Sequence, residues 1–295
     1  MSEPAGPPAV VVATRNRAGE LLGALTRLRA LPERPPVVVV DNGSTDGTAA
    51  RVRAHHPWVE LVELPRNLGA AARTVGARRT RAPYVAFSDD DSWWAPGALA
   101  AAAALLARHP RLALVAARVL VGPERRLEPA CAAMAASQLA PEDLPGLGAG
   151  DLPGPPVLGF VACGAVVRRS AFLAVGGFHR RLGVGGEEEL LALDLAAAGW
   201  RLAYVEDVVA HHHPSPARDP LGRRRVVVRN ALWSAWLRRP AAAASRHTLR
   251  LALPALRQPG ARAGVLDAVR GLPWVLAERR PLRPDLEAAV RRLHP

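Results

Sequence analysis

The amino-acid sequence predicts an α/β protein, Rossmann-like, with a mostly parallel central sheet flanked by helices and a basic helical C-terminal extension. Three observations predict it. Short β-branched runs alternate with helical stretches through residues 8–213, the pattern of βαβ units. Polar clusters stand at the carboxyl ends of the strands, the edge at which open α/β sheets bind ligands. The charge is split along the chain: 22 Arg and 21 acids up to residue 213, then 17 Arg and five acids.

Taken in order, residues 8–13 (PAVVVA) read as a fully buried strand that breaks into Thr14-Arg15-Asn16-Arg17. A helix follows, with Leu21, Leu22, Leu25, Leu28 and Leu31 as its apolar stripe and Asn16 as its expected N-cap. Residues 37–40 form a second strand ending in DNGSTDGT (residues 41–48), a string of turn and capping residues that opens a helix over 49–55. Residues 59–64 form a third strand, and Arg66-Asn67-Leu68-Gly69 opens a helix over 70–79. The fourth strand, 84–87, runs into Asp89, Asp90 and Asp91; a helix over 98–108 and a strand over 112–121 follow. Residues 122–156 read as a long connection with one short helix over 129–139. Beyond it come a buried strand over 157–167, a short helix over 170–175, and a helix over 190–198 preceded by Glu187, Glu188 and Glu189. Strand-like runs over 202–205 and 208–210 lead into His211, His212 and His213. Prolines separate the helical stretches 226–237, 241–256, 262–270 and 285–293.

Composition narrows the classes. Among 295 residues, an apolar content of 49% supports a sizeable core and rules out a disordered chain. The N-terminal MSEPAGPP lacks a basic region followed by an apolar one, so no signal peptide is expected, and no uncharged run reaches membrane-spanning length. Cys131 and Cys163 make neither a disulfide framework nor a zinc site and are expected to be reduced and structural. The net charge is +13, every basic side chain apart from histidine is Arg, and the pI is about 11.4. A nucleic-acid-binding module is one reading of that charge. The near-neutral balance of residues 1–213 and the lack of RNA-binding or C₂H₂ spacing argue against it. The Arg, Leu and Trp mixture of the last segment fits two things equally, a surface lying on an anionic bilayer and a helical cap packed on the domain.

Three clusters carry chemistry. Three consecutive carboxylates at a strand end need a cation, hydrogen-bond donors or a shared proton, because like charges this close repel. Hard oxygen ligands suit Mg²⁺ or Mn²⁺. An acidic turn or helix cap would explain the triplet alone, but four polar strand ends on one edge favour a small-molecule site. Three glutamates in a first helical turn complement the helix dipole and exceed what that role needs. Of the three histidines, an extended segment points His211 and His213 one way and His212 the other, either as ligands or as loop-stabilising groups.

Five stretches in order, VVVATRNR (10–17), VVDNGSTDGT (39–48), RNLGAAARTVGARR (66–79), FSDDDSWW (87–94) and residues 176–213, resemble the family 2 inverting glycosyltransferases. The resemblance covers residues 8–215 and implies a GT-A fold there, with 216–295 as an Arg-rich helical extension. It implies that Thr14, Asn16 and Asp41 line the base and ribose of a nucleotide, and that Ser44, Asn67 and Arg73 complete that pocket and its phosphate edge. Asp89 and Asp91 take the place of the DXD pair, Asp91 being the metal ligand and Asp90 facing the donor. His211 matches the family's metal- or diphosphate-facing histidine, with His213 in reserve. Glu188 falls at the catalytic base. The family's usual residue there is Asp, so Glu187 and Glu189 stay open, and Leu190 stands where the family has a further acid. The expected cofactor is a divalent metal, Mn²⁺ or Mg²⁺. The expected partners are a nucleotide diphosphate-sugar and a glycan, glycolipid or small-molecule acceptor, without nucleic acid. A cytoplasmic enzyme touching the inner face of an anionic membrane, making single additions, is the expectation. A catalytically inactive sugar-nucleotide-binding protein is the alternative.

Overall fold

The computed structural model describes residues 6–144, 152–215, 220–255 and 257–293. Its centre is one sheet. Strands β1 (Ala9–Thr14), β2 (Val37–Asp41), β3 (Glu60–Glu63) and β4 (Tyr84–Asp89) are mutually parallel in the order β3-β2-β1-β4. These are the Val-rich runs, and β1 and β2 are buried on both faces, as a parallel sheet between helix layers requires. The helices between them are α1 (Ala18–Arg29), α2 (Thr48–His55) and α3 (Ala71–Arg79). Leu21, Leu25 and Leu28 of α1 are fully buried against the sheet.

Past β4 the sheet becomes mixed. Strand β5 is Ser92–Trp94, α4 is Ala98–Arg108, β6 is Leu112–Val121, and β7 (Arg126–Leu127) folds back on β6. After α5 (Pro129–Ala135) come β8 (Ala165–Arg168), α6 (Arg169–Ala174), α7 (Glu187–Ala197) and β9 (Arg201–His212). The order continues β4-β8-β6-β9-β5, with β8 antiparallel to both neighbours, β6 parallel to β9, and β5 antiparallel to β9.

Two expectations change here. The buried run 157–167 is a strand only from Ala165; before it, Ala162–Gly164 form a 3₁₀ turn. The run is buried as expected, but burial alone does not distinguish a strand from a tight turn. The runs 202–205 and 208–210 are one strand: between the pairs Ala117↔Val205 and Arg118↔Val209 the register shifts, and residues 206–208 are taken up as a bulge. Strand β5 and its pairing with β9 were not foreseen; two Trp beside an acidic triplet give no alternation to read.

Five helices follow: α8 (Pro220–Arg238), α9 (Ala241–Ala255), α10 (Pro259–Arg270), α11 (Leu272–Ala277) and α12 (Pro284–Leu293). They hold α7 from two sides. Leu190 joins Leu182, Val228, Leu232 and Trp233 in one buried cluster, and Leu193 and Ala196 join Leu286, Ala289 and Val290 in another. Buried Arg239 of the α8–α9 junction pairs through two nitrogens with buried Glu287 of α12, at 3.1 and 2.9 Å. The expected boundary after residue 215 falls at residues 216–219, outside the described residues, as do 145–151 of the long connection.

Candidate active site

The parallel half of the sheet delivers its strand ends to one cleft of about 430 Å³. Thr14 ends β1, Asn67 precedes α3, Arg73 rises from α3, and Asp89, Asp90 and Asp91 follow from β4. All six line the cleft, together with Arg15, Arg17, Asn42 and, from α8, Arg223. The loops are tied to one another. Asn42 donates through Nδ2 to the Gly69 carbonyl (3.1 Å) and accepts at Oδ1 from the Leu68 amide (2.7 Å). Gly69 has φ +58°, and a Cβ there would lie 2.5 Å from the Gly183 Cα, so only glycine lets these two backbones touch. The Ala70 amide then donates to the Gly183 carbonyl at 3.0 Å, joining the start of α3 to the loop before α7.

Asn16, Asp41 and Ser44 stand beside the cleft and brace its loops. Asp41 Oδ1 accepts from the Ser44 amide (2.8 Å), Ser44 Oγ from the Asn16 amide (3.0 Å), and Asn16 Oδ1 from the Thr45 amide (2.8 Å). Asn16 therefore does not cap α1. Its φ is +54°, Arg17 takes the N-cap position, and its side chain is spent on the neighbouring loop. Asn67 is exposed, and its Oδ1 accepts from the Gly69 amide at 2.8 Å.

The three aspartates differ. Asp89 pairs with buried Arg73. Asp90 accepts from Thr14 Oγ1 at 3.0 Å, and Arg17 Nη1 stands 3.5 Å from its Oδ1. Burial, then the charges of Asp89 and Asp91, push its carboxyl up to about 7. Asp91 is equally buried, yet its pKa is lowered. Burial works to raise it, but hydrogen bonding and charge from His212, the Ser215 amide and Arg17 outweigh that. His212 Nε2 lies 3.3 Å from Asp91 Oδ1, and the Ser215 amide donates to Oδ2 at 3.1 Å.

The histidine facing the acids is therefore His212, which corrects the expectation of His211. In the β5–β9 pair His211 lies opposite Trp93 and stacks on it at 5.6 Å, with Arg27 on the same ring at 4.2 Å. His213 leans on Trp93 as well, at 4.7 Å. Alternation sends 211 and 213 to one side and 212 to the other; the bulge over 206–208 decides which side meets Asp91.

The glutamates also separate. Glu187 is 1% exposed, holds the Gly185 amide and stands 3.9 Å from Arg73; burial and the Glu188 charge push its pKa upward. Glu189 is raised by burial, with the Arg239 charge opposing, and it lines the same cavity as Glu188. Glu188 is half-buried, and its carboxylate makes no hydrogen bond or ion pair among the described residues. It lines a separate cavity of about 400 Å³ with Met134, Val157 and Phe160, while its charge acts on Arg73 and Cys163 toward the acidic triplet. Arg73 links the two acidic groups. Burial opposes its charge, and Asp89, Glu187 and Glu188 together more than offset this, raising its pKa.

Sequence reading missed His212, Arg17 and Arg223, and with them Asn230 of α8. Fully buried, Asn230 donates to the Leu182 and Gly185 carbonyls at 2.8 and 2.7 Å and so fixes the loop that presents α7. Arg17 was within a recognised motif; nothing in the local pattern marks Asn230.

A family model described as glycosyl transferase family 2 matches residues 9–176. An N-acetylglucosaminyl-diphospho-decaprenol L-rhamnosyltransferase of Mycobacterium tuberculosis is 29% identical over 250 residues, spanning 72% of this chain and 78% of the relative. A pre-mycofactocin glycosyltransferase of the same species is 33% identical over 226 residues, 73% of this chain and 44% of the relative. Among solved structures, a mannosyltransferase from Pyrobaculum calidifontis in complex with GDP-Man and Mn²⁺ superposes with a TM-score of 0.61 at 23% identity, covering 97% of this chain and 84% of that one. This last likeness is one of fold, and the fold is GT-A.

Proposed function

The chain belongs to glycosyl transferase family 2 and is a glycosyltransferase, and we propose that it moves a sugar from a nucleotide diphosphate-sugar to an acceptor hydroxyl by one in-line displacement with inversion. The observation that carries this reading is the division of its carboxylates. Asp89, Asp90 and Asp91 converge with arginines on one cleft, with His212 against Asp91, while Glu188 stands on a separate cavity with no hydrogen bond or ion pair among the described residues. Thr14, Asn16, Asp41, Ser44 and Asn67 form the base and ribose side. Arg15, Arg17 and Arg223 surround the diphosphate, and Asp90 meets the donor.

The donor set of Asp91 and His212, with Asp89 beside them, fits a divalent cation, Mn²⁺ or Mg²⁺. Bound there, the cation would neutralise charge on the departing diphosphate. The GDP-Man and Mn²⁺ held by the Pyrobaculum enzyme support this. In the transfer, Glu188 accepts the proton of the acceptor hydroxyl as its oxygen bonds to the anomeric carbon, and the bond from that carbon to the diphosphate oxygen breaks on the opposite face. No covalent glycosyl-enzyme forms. A general base contributes about a hundred- to ten-thousandfold, so Glu188→Gln should lose that much kcat while retaining nucleotide affinity in calorimetry. Near-normal turnover of that variant would refute the base assignment, and donor hydrolysis absent from the wild type with and without Mn²⁺ would favour an inactive binding protein.

The acceptor in this reading is a glycan, a glycolipid or a small molecule. The lipid-linked substrate in the rhamnosyltransferase's name supports a glycolipid of the cell envelope. Residues 1–215 are read as the catalytic unit and 216–295 as its helical extension. The extension packs on α7 with its inner face. Outward it shows Leu249, Leu253, Leu266 and Val269, at 52–63% exposure, among Arg246, Arg250, Arg262 and Arg270. No helix among the described residues is long and apolar enough to cross a membrane. An Arg-rimmed apolar face is suited to lie on an anionic bilayer, which would place the enzyme at the cytoplasmic surface.

A further inference from the structure

We propose that the cation seat is not built of oxygen and nitrogen alone: Cys163 adds a sulfur ligand beside Asp89 and His212, so that the chain binds a thiophilic ion such as Zn²⁺ or Co²⁺ through a thiolate, which Mg²⁺ does not use. The proposal rests on the reading of the acidic triplet and His212 as a cation seat and adds its chemical character.

One carboxylate oxygen of Asp89, the Cys163 sulfur and one ring nitrogen of His212 lie within 4.8 Å of one another. Ligand distances of about 2.0–2.3 Å put two donors of one ion at most about 4.6 Å apart, so the three side chains close on an ion by small rotamer adjustments. The three come from unrelated places in the chain: the end of β4, the 3₁₀ turn Ala162–Gly164, and the end of β9. The turn is seated tightly. A Cβ on Gly164 would stand 2.4 Å from Val119 Cγ2, so the glycine lets the turn press against β6 and fixes its neighbour Cys163 in place.

The two cysteines of the chain are used differently. The Cys131 thiol is satisfied within the core: it accepts from the Val119 amide at 3.3 Å and donates to the Ala117 carbonyl at 3.5 Å. Cys163 is as buried, but its sulfur has no hydrogen bond among the described residues; burial and the charges of Asp89, Asp91 and Glu188 hold it as the thiol against Arg73, so that it gives up its proton only to a bound cation. Both cysteines belong to the main apolar cluster, but only Cys163 also has a carboxylate and an imidazole within reach. A carboxylate, an imidazole and a thiolate together are the donors of zinc sites, whereas Mg²⁺ demands oxygen and keeps its waters.

The test uses the full-length chain stripped of metal, with GDP or UDP present, and needs no variant for its first readout. Titration with Co²⁺ should produce a near-ultraviolet thiolate-to-cobalt charge-transfer band. The band should vanish in Cys163→Ser and Cys163→Ala and persist in Cys131→Ser. By calorimetry, Zn²⁺ affinity should fall in Cys163→Ser by at least about tenfold, the loss that even outer partners of a metal site produce, while Mn²⁺ affinity stays within about threefold. A Co²⁺-loaded wild type without the band, or Zn²⁺ affinity unchanged by the substitution, would overturn the sulfur ligand. If Mn²⁺ still binds in that case, the oxygen–nitrogen seat and the proposed function stand without Cys163. If neither Mn²⁺, Zn²⁺ nor Co²⁺ binds the wild type, the cation seat itself falls.

Discussion

Replacing Asp90 by Asn should make the metal-free protein more stable above neutral pH while damaging its activity. Asp90 is 7% exposed and sits between two further carboxylates. Its carboxyl titrates near 7 in the folded chain against 3.8 when unperturbed. Below 3.8 it is protonated in both states and makes no difference to folding. As pH rises from there to 7, the unfolded chain releases this proton and the folded chain retains it, so each pH unit favours unfolding by about 1.4 kcal/mol. Over the interval the wild type loses about 4 kcal/mol that an amide never loses. The Asn keeps an acceptor oxygen for Thr14 Oγ1, so the local geometry is preserved. Urea unfolding of both proteins with a chelator present, at about pH 5 and about pH 8.5, should show Asp90→Asn gaining on the wild type by about 3 kcal/mol between the two. A difference between the proteins that does not change with pH would refute the claim that a carboxylate is held there at a cost.

Three other perturbations test the site's supports. Arg73→Met leaves Asp89 and Glu187 facing each other without the cation between them and should cost about 3–5 kcal/mol in denaturant unfolding; a loss under about 1 kcal/mol would mean that the acids are solvated instead. Asn230→Ala removes the buried donor of the Gly185 carbonyl and one of the two donors of Leu182, which keeps Arg229, and should cost about 1–3 kcal/mol. Because the same loop carries α7 and sets Val184 on the nucleotide cleft, kcat and donor affinity should both fall; a variant with both unchanged would contradict that. Leu249→Ser with Leu253→Ser should weaken sedimentation with phosphatidylglycerol vesicles at low salt and leave activity on a water-soluble acceptor unchanged, while unaltered vesicle binding would remove α9 from the membrane reading.

What the chain alone determined is what local pattern encodes. Val-rich runs between prolines and polar loops read as buried strands, and their alternation with helical stretches over residues 9–89 gives the parallel half of the sheet, whose polar strand ends meet at one edge. Thr14, Asn67, Arg73 and the aspartates line one cleft because the βαβ repeat brings each strand's carboxyl end to the same side. Four things needed the tertiary structure. Residues 157–167 are apolar throughout, and neither burial nor composition says that they bend at Ala162–Gly164 before extending. The histidine that meets Asp91 depends on a bulge of residues 206–208, which shifts the facing of every side chain beyond it; alternation could separate His212 from His211 but could not choose between them. Glu187, Glu188 and Glu189 are chemically identical neighbours until Arg73 and Gly185 engage the first and the other two are left on a second cavity. Cys163, Asp89 and His212 are far apart in the chain, and no spacing rule joins them. Periodicity assigns a residue to a face; only packing between distant segments decides which face, and which neighbour, it finds there.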